Sequence, residues 1–117
     1  MPFIPPNHEL VCKRYNDPWW IVERDLWYDA GRFGIIKVPA GTVTDFCSYP
    51  GKAGEPAGVV HDFLYQTGQL SKDAADRIFY TILREDGISP VKAAFMYQAV
   101  KYFGWKTWKK YRAEDTK

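Results

Sequence analysis

Apolar and polar residues alternate along the first third of the chain and take on a helical period after residue 55. Glu9 to Tyr15 alternates well enough to predict a strand, and Asn16-Asp17-Pro18 turns it. Trp19 to Tyr28 is aromatic and β-branched, with Trp20, Val22, Leu26 and Tyr28 on alternate positions, and predicts a long second strand. After the turn at Asp29–Arg32, Phe33 to Val38 makes a third. Pro39-Ala40-Gly41 then leads into Thr42-Val43-Thr44, a short extended piece ending at Asp45. Residues 1–7 are proline-rich and read as extended. Together these segments predict a small antiparallel meander of three to four strands.

The stretch from Phe46 to Gly54 holds Pro50, Gly51 and Gly54 and reads as a loop. A first helix follows from Pro56 to Gln66, with the proline in the first turn, where its missing N–H is harmless. Ser71 is placed to cap a second helix from Lys72 to Glu85, with Asp73 at the positive end of its dipole. Ile78, Phe79, Ile82 and Leu83 give that helix one buried stripe, and Gly87 stops it. Ser89-Pro90 opens a third helix that runs to Phe103 before Gly104, and Trp105 to Arg112 predicts a short fourth. The expected fold class is therefore α+β in a single domain: 1–45 mainly β, 46–55 a loop, 56–112 a three- to four-helix bundle, and 113–117 a tail.

Composition narrows the picture without redirecting it. A chain of 117 residues that is 46% apolar can build one core, and its 17% aromatic share implies packing by large flat rings. The net charge of +2 gives no overall case for nucleic acid. Positive charge is instead concentrated from Lys101 onward, where five lysines and Arg112 stand against Glu114 and Asp115. Cys12 and Cys47 are too few for a disulfide scaffold. Neither a signal-peptide pattern nor a bilayer-length apolar run occurs, so the expectation is a soluble protein made in the cytoplasm.

The candidate chemistry lies in Val59-Val60-His61-Asp62-Phe63-Leu64-Tyr65, where two adjacent polar residues interrupt an apolar run. Tyr65 is four positions after His61 and shares its helical face. Successive helix positions point about 100° apart, so His61 and Asp62 serve different targets. His61 turned toward an inner carboxylate would have its tautomer fixed and its free nitrogen made a better base. Asp76 on the next helix is the candidate carboxylate, and Tyr65 the hydroxyl that orients it. Asp62 would face the 46–54 loop and, with backbone carbonyls and Asp45, hold a hard cation such as calcium.

Structural readings compete with each assignment. His61 and Asp76 can pair across two helices simply to fix their packing, Asp62 can be a solvated helix residue, and Asp45 can cap a turn. A Ser48 nucleophile is disfavoured because the only other histidine, His8, lies at the N-terminal edge. Zinc is disfavoured because the cysteines and histidines lack paired spacing.

Two resemblances extend this reading. The ordered set Phe33 with Val38-Pro39-Ala40-Gly41, Thr44-Asp45-Phe46-Cys47-Ser48-Tyr49-Pro50, His61-Asp62-Phe63-Leu64-Tyr65 and Ala75-Asp76 with Phe79 resembles domain-of-unknown-function family 1353, and extends through Met96-Tyr97 and Tyr102-Phe103-Gly104, over roughly residues 33–108. That family occurs in tailed bacteriophages and prophages, so the resemblance implies a phage origin and assigns no activity. The His61–Tyr65 segment followed by Asp76-Arg77-Ile78-Phe79-Tyr80 is similar to the helix pair of secreted phospholipases of the A2 class. By that resemblance His61 would be the base, Asp62 the calcium ligand, Asp76 the orienting carboxylate and Tyr65 its partner, with carbonyls from Phe46 to Gly51.

At the C-terminal end Tyr102, Trp105, Trp108 and Arg112 recur at three- and four-residue steps with Lys106, Lys109 and Lys110 between them. The stretch reads either as a helix whose aromatics complete the core, or as an interaction surface of Trp105, Trp108, Lys109 and Arg112. Such a surface suits an anionic membrane or another virion or envelope protein, while the acidic remainder of the chain argues against nucleic acid. The functional expectation is a phage-encoded, calcium-assisted hydrolase of the bacterial envelope. Its alternative is a non-catalytic virion or tail component.

Overall fold

The computed structural model describes residues 3–4, 12–16, 19–44 and 55–115, with side chains described over 21–44 and 56–114. Short antiparallel strands come first and four helices follow, an α+β arrangement. The strands are β1 (Phe3–Ile4), β2 (Cys12–Asn16), β3 (Trp19–Val22), β4 (Leu26–Asp29), β5 (Ile35–Val38) and β6 (Val43–Thr44), with one 3₁₀ turn at Gly31–Phe33.

The strands do not form one meander. They divide into two three-stranded sheets, ordered β1-β4-β5 and β2-β3-β6. The reason is a break in the middle of the expected second strand. Chain between Val22 and Leu26 leaves the extended ladder, and the Asp25 carboxylate accepts a hydrogen bond from the Ala40 N–H at 2.8 Å. The two halves then pair with different neighbours: Trp20 lies opposite Thr44, whereas Tyr28 lies opposite Ile36. Alternation itself is kept. Leu26, Tyr28, Ile36 and Val38 are buried and the residues between them point outward, as expected of a sheet with one face on the core.

The helices are α1 (Glu55–Thr67), α2 (Lys72–Glu85), α3 (Pro90–Phe103) and α4 (Trp105–Asp115), so the expected tail at 113–115 continues the last helix. Local caps set these limits. The Ser71 hydroxyl accepts from the Ala74 N–H at 3.1 Å, and Ser89 accepts from the Lys92 N–H at 3.3 Å. Helix α1 packs chiefly on α2, α2 on α3, and α4 against α1. Val59, Val60 and Leu64 of α1 meet Ile78, Ile82 and Leu83 of α2 in a core that also takes in Val22, Leu26 and Val38 from the strands.

Two polar ties fasten the strands to the helices. The Tyr28 hydroxyl donates to the Glu85 carboxylate at 2.9 Å, which anchors β4 to the end of α2. Gln66 Nε2 donates to the Val43 carbonyl at 2.8 Å, anchoring α1 to β6. Burial disfavours ionisation of both Tyr28 and Glu85 and pushes their pKa values up, and their mutual hydrogen bond raises the phenol further.

Candidate functional site

Helix α1 is apolar almost all round, so its polar residues are carried inward with the rest. His61, Asp62 and Tyr65 are all buried. Helix α2 has one apolar stripe, and its buried face also includes Lys72 and Asp76. Where the two helices cross, the Asp76 carboxylate becomes the centre of a closed polar cluster. Its Oδ1 accepts from His61 Nε2 at 2.8 Å and from the Tyr65 hydroxyl at 2.7 Å. Its Oδ2 accepts from Lys72 Nζ at 2.8 Å.

The Lys72 ammonium has two further acceptors, the Val100 carbonyl at 3.1 Å and the Lys101 carbonyl at 3.0 Å, in the last turn of α3. All three of its donors are therefore used, at a helix end where a cation is favoured. The Trp105 ring covers the ammonium, 4.7 Å from its centroid. Gly104, at the α3–α4 corner, sits on the same cluster. A Cβ added there would lie 2.5 Å from the Tyr65 hydroxyl oxygen, so a larger residue would push against the bond to Asp76.

Electrostatics follow from this packing. Burial by itself would raise the Asp76 pKa. The hydrogen bonds from His61, Lys72 and Tyr65 outweigh it, and the net shift is downward, so the carboxylate is held ionised. Tyr65 moves the other way: burial and its bond to the Asp76 carboxylate push the phenol well above its ordinary range. An ionised carboxylate accepts, so His61 Nε2 carries the hydrogen, and in the neutral imidazole that bond leaves Nδ1 as the base nitrogen. The ring is held between Tyr65, at a centroid distance of 4.3 Å, and Phe79, at 4.7 Å.

His61 also lines a cavity of about 480 Å³, together with Asp62, Tyr65, Phe79, Phe103 and Lys110 among others. A space of this size suits a small organic group, and its walls are mainly apolar and aromatic. The expected trio of His61, Tyr65 and Asp76 is thus brought together beside a hollow. Asp62 lines the same cavity, and its Oδ2 accepts from Gln66 Nε2 at 2.9 Å.

Of the two carboxylates expected to hold a hard cation, Asp62 is the one among the described residues. No group of three or more His, Cys, Asp or Glu placed to hold a metal occurs among the described residues. Calcium takes six to eight oxygens, roughly. The other ligands expected from sequence, Asp45 and the carbonyls of the 46–54 loop, lie outside the described residues, as does Ser48.

The C-terminal surface residues divide. Trp105 and Lys109 are exposed. Trp108 instead turns its edge on Tyr65 at 5.2 Å, and Arg112 donates to the Tyr65 and Gln66 carbonyls at 2.8 and 3.1 Å, closing the C-terminal end of α1. Gly68 makes room for that guanidinium, since a Cβ there would lie 2.6 Å from the Arg112 Cζ. Trp108 and Arg112 therefore support the site from behind.

The residue that sequence reasoning missed is Lys72. Its signal was present, a lysine four positions before Asp76. That spacing ordinarily marks an exposed helix pair, as Asp73 and Arg77 make one residue further on, about 100° round the helix, at 2.9 Å. Periodicity sets Lys72 toward the inner stripe and Asp73 off it, but the carbonyls that let a lysine be buried there belong to α3.

Comparison with known proteins adds one match. Residues 20–100 match the model of a family described as a protein of unknown function, DUF1353. No curated protein and no solved structure matches the chain.

Proposed function

The chain belongs to the DUF1353 family, and from that premise we propose that it is a water-activating hydrolase whose base is His61. The observation that carries this reading is the 2.8 Å bond from His61 Nε2 to a buried, ionised Asp76, on a ring that lines a cavity. In the proposed reaction Nδ1 takes a proton from water and the hydroxide adds to an ester carbonyl. Collapse then expels an alkoxide, which receives the proton and leaves as the alcohol, with a carboxylic acid as the other product. Asp76 and Tyr65 are positioning residues that hold the imidazole and its tautomer. The setting implied by the sequence resemblance is a phage gene product acting on the bacterial envelope, with a phospholipid ester as the bond cleaved. Calcium at Asp62 belongs to the same proposal, and no step above is routed through it.

A specific observation favours a second reading. Lys72 already neutralises Asp76, so the carboxylate does not need His61 as its counter-charge. A cluster so fully paired would equally serve a non-catalytic virion or tail component by locking α1, α2 and the α3–α4 corner in register.

The test uses purified protein on mixed phospholipid vesicles, with calcium or with a chelator. Under the hydrolase reading fatty acid is released, the chelator lowers the rate, and His61→Gln lowers it by about 100-fold or more while the helical signal is kept. If wild-type protein releases no fatty acid, or His61→Gln releases it as fast, the hydrolase reading falls. Copurification with tail proteins would then support the structural one.

A further inference from the structure

Helix α3 carries apolar residues on the wrong side. Its inner face is made by Ala93, Met96, Tyr97 and Val100, which pack on the core or its margin. At about 100° per residue, Val91, Phe95 and Tyr102 fall within about 40° of one another on the side opposite that face. They are left in solvent, as is Phe103 at the end of the helix, with exposures from 65% at Tyr102 to 83% at Phe103. A helix that is apolar all round is ordinarily covered on all sides. Among the described elements nothing packs on this stripe.

What surrounds the stripe indicates the missing cover. Lys92 and Lys101 lie about 80° to 100° to either side of it, and both are exposed. From Pro90 to Glu114 there are five lysines and Arg112 against Glu114 alone. An apolar stripe between cationic edges fits a layer that is apolar within and negatively charged at its surface. A second copy of this chain fits poorly, because a two-fold contact along α3 would bring the same lysines of both copies together. Phe103 lies about 100° round the helix from the centre of the stripe, beside the cavity. Phe103 belongs both to the exposed apolar surface and to the cavity wall, and Lys110 stands on that wall as a cation.

We infer that the outward face of α3 seats on an anionic lipid surface, with Val91, Phe95 and Tyr102 entering the interface and Phe103 at its edge, beside the cavity. The docking surface needs no catalysis; resting on the proposed function, it would set the cavity wall at Phe103 beside the lipid and so bring an amphiphile near His61.

The experiment is vesicle flotation of the full chain with ether-linked lipids, which contain no ester to cleave, so its outcome is independent of hydrolysis. Vesicles of ether-linked phosphatidylcholine are compared with vesicles that also contain the ether-linked phosphatidylglycerol. Binding is expected to be at least about tenfold tighter to the anionic vesicles and to weaken with added salt. Phe95→Ser and Tyr102→Ser should each weaken it by about tenfold, with circular dichroism and the unfolding midpoint unchanged because both side chains point away from the core. Binding that ignores lipid charge, or that survives the Phe95→Ser, Tyr102→Ser double variant, overturns the inference. So does a dimer in solution that the same double variant dissolves.

Discussion

Helices α2 and α3 have the same length of 14 residues and the same start, a serine cap, yet they use their side chains in opposite ways. In α2 one stripe is apolar, and two charged residues, Lys72 and Asp76, are drawn in with it and paired. In α3 the apolar residues run all round, and several of the largest remain in solvent. Helix α2 is therefore the helix on which the interior depends, and its charges are tolerated because each finds several partners. Helix α3 completes the core with one edge and leaves the opposite edge for something else. Burial in this molecule follows the available partners rather than the polarity of each residue.

The largest effects should come from breaking the pairing on α2 while leaving α3 as a control. Lys72→Met removes one partner of a buried ion pair and should destabilise the protein by about 3–5 kcal/mol in urea unfolding. Phe95→Ser on the outward face of α3 should change stability by about 0.5 kcal/mol or less. Comparable losses for both variants would mean that the α3 stripe is not free.

Titration sharpens the same contrast, because the cluster around α2 holds the strongly shifted groups. Below pH 3.8 the unfolded chain takes up a proton at Asp76 that the folded chain still refuses, so stability falls as the pH drops through this window to the lowered native pKa. Above pH 10.0 the unfolded chain loses the Tyr65 proton while the folded chain keeps it, so stability falls as the pH rises. Each such phenol adds a slope approaching about 1.4 kcal/mol per pH unit. Tyr28 behaves likewise at the β4–α2 junction. Tyr65→Phe should therefore flatten the alkaline limb of a stability–pH curve by about half, and an unchanged limb would show that the phenol ionises freely in the folded state.

The smallest effects should separate the two helix starts. Ser71→Ala is expected to cost about 1 kcal/mol, because α2 must form for the core to close. Ser89→Ala should cost about half that, since its bond to the Lys92 N–H is longer, 3.3 Å against 3.1 Å, and fully at the surface. Equal losses in thermal unfolding would remove this last difference between the helices.

Much of the site could be read from residue order. His61 and Tyr65 had to share a face because they lie four apart on one helix. Asp76 was the one acidic residue on the inner stripe of the next helix, and a buried carboxylate seeks donors. Lys72 was not legible in the same way, because its burial depends on the Val100 and Lys101 carbonyls, nearly thirty positions away. The sequence leaves Trp108 and Arg112 open between core and surface for a similar reason: the ring and the carbonyls they approach belong to α1, more than forty positions earlier.

The sequence by itself determined the α+β order, the bounds of α2 and α3, and the alternation of buried and exposed strand residues. All of these arise from caps, turns and periodicity within a few residues of each other. Tertiary structure alone decided that the stretch from Trp19 to Tyr28 serves two sheets, that one i,i+4 ion pair is buried while its neighbour is solvated, and that the apolar outer edge of α3 is left uncovered. Those outcomes depend on which distant surface each segment meets, and the free energy of burying a group is set by that meeting rather than by the group's neighbours in the chain.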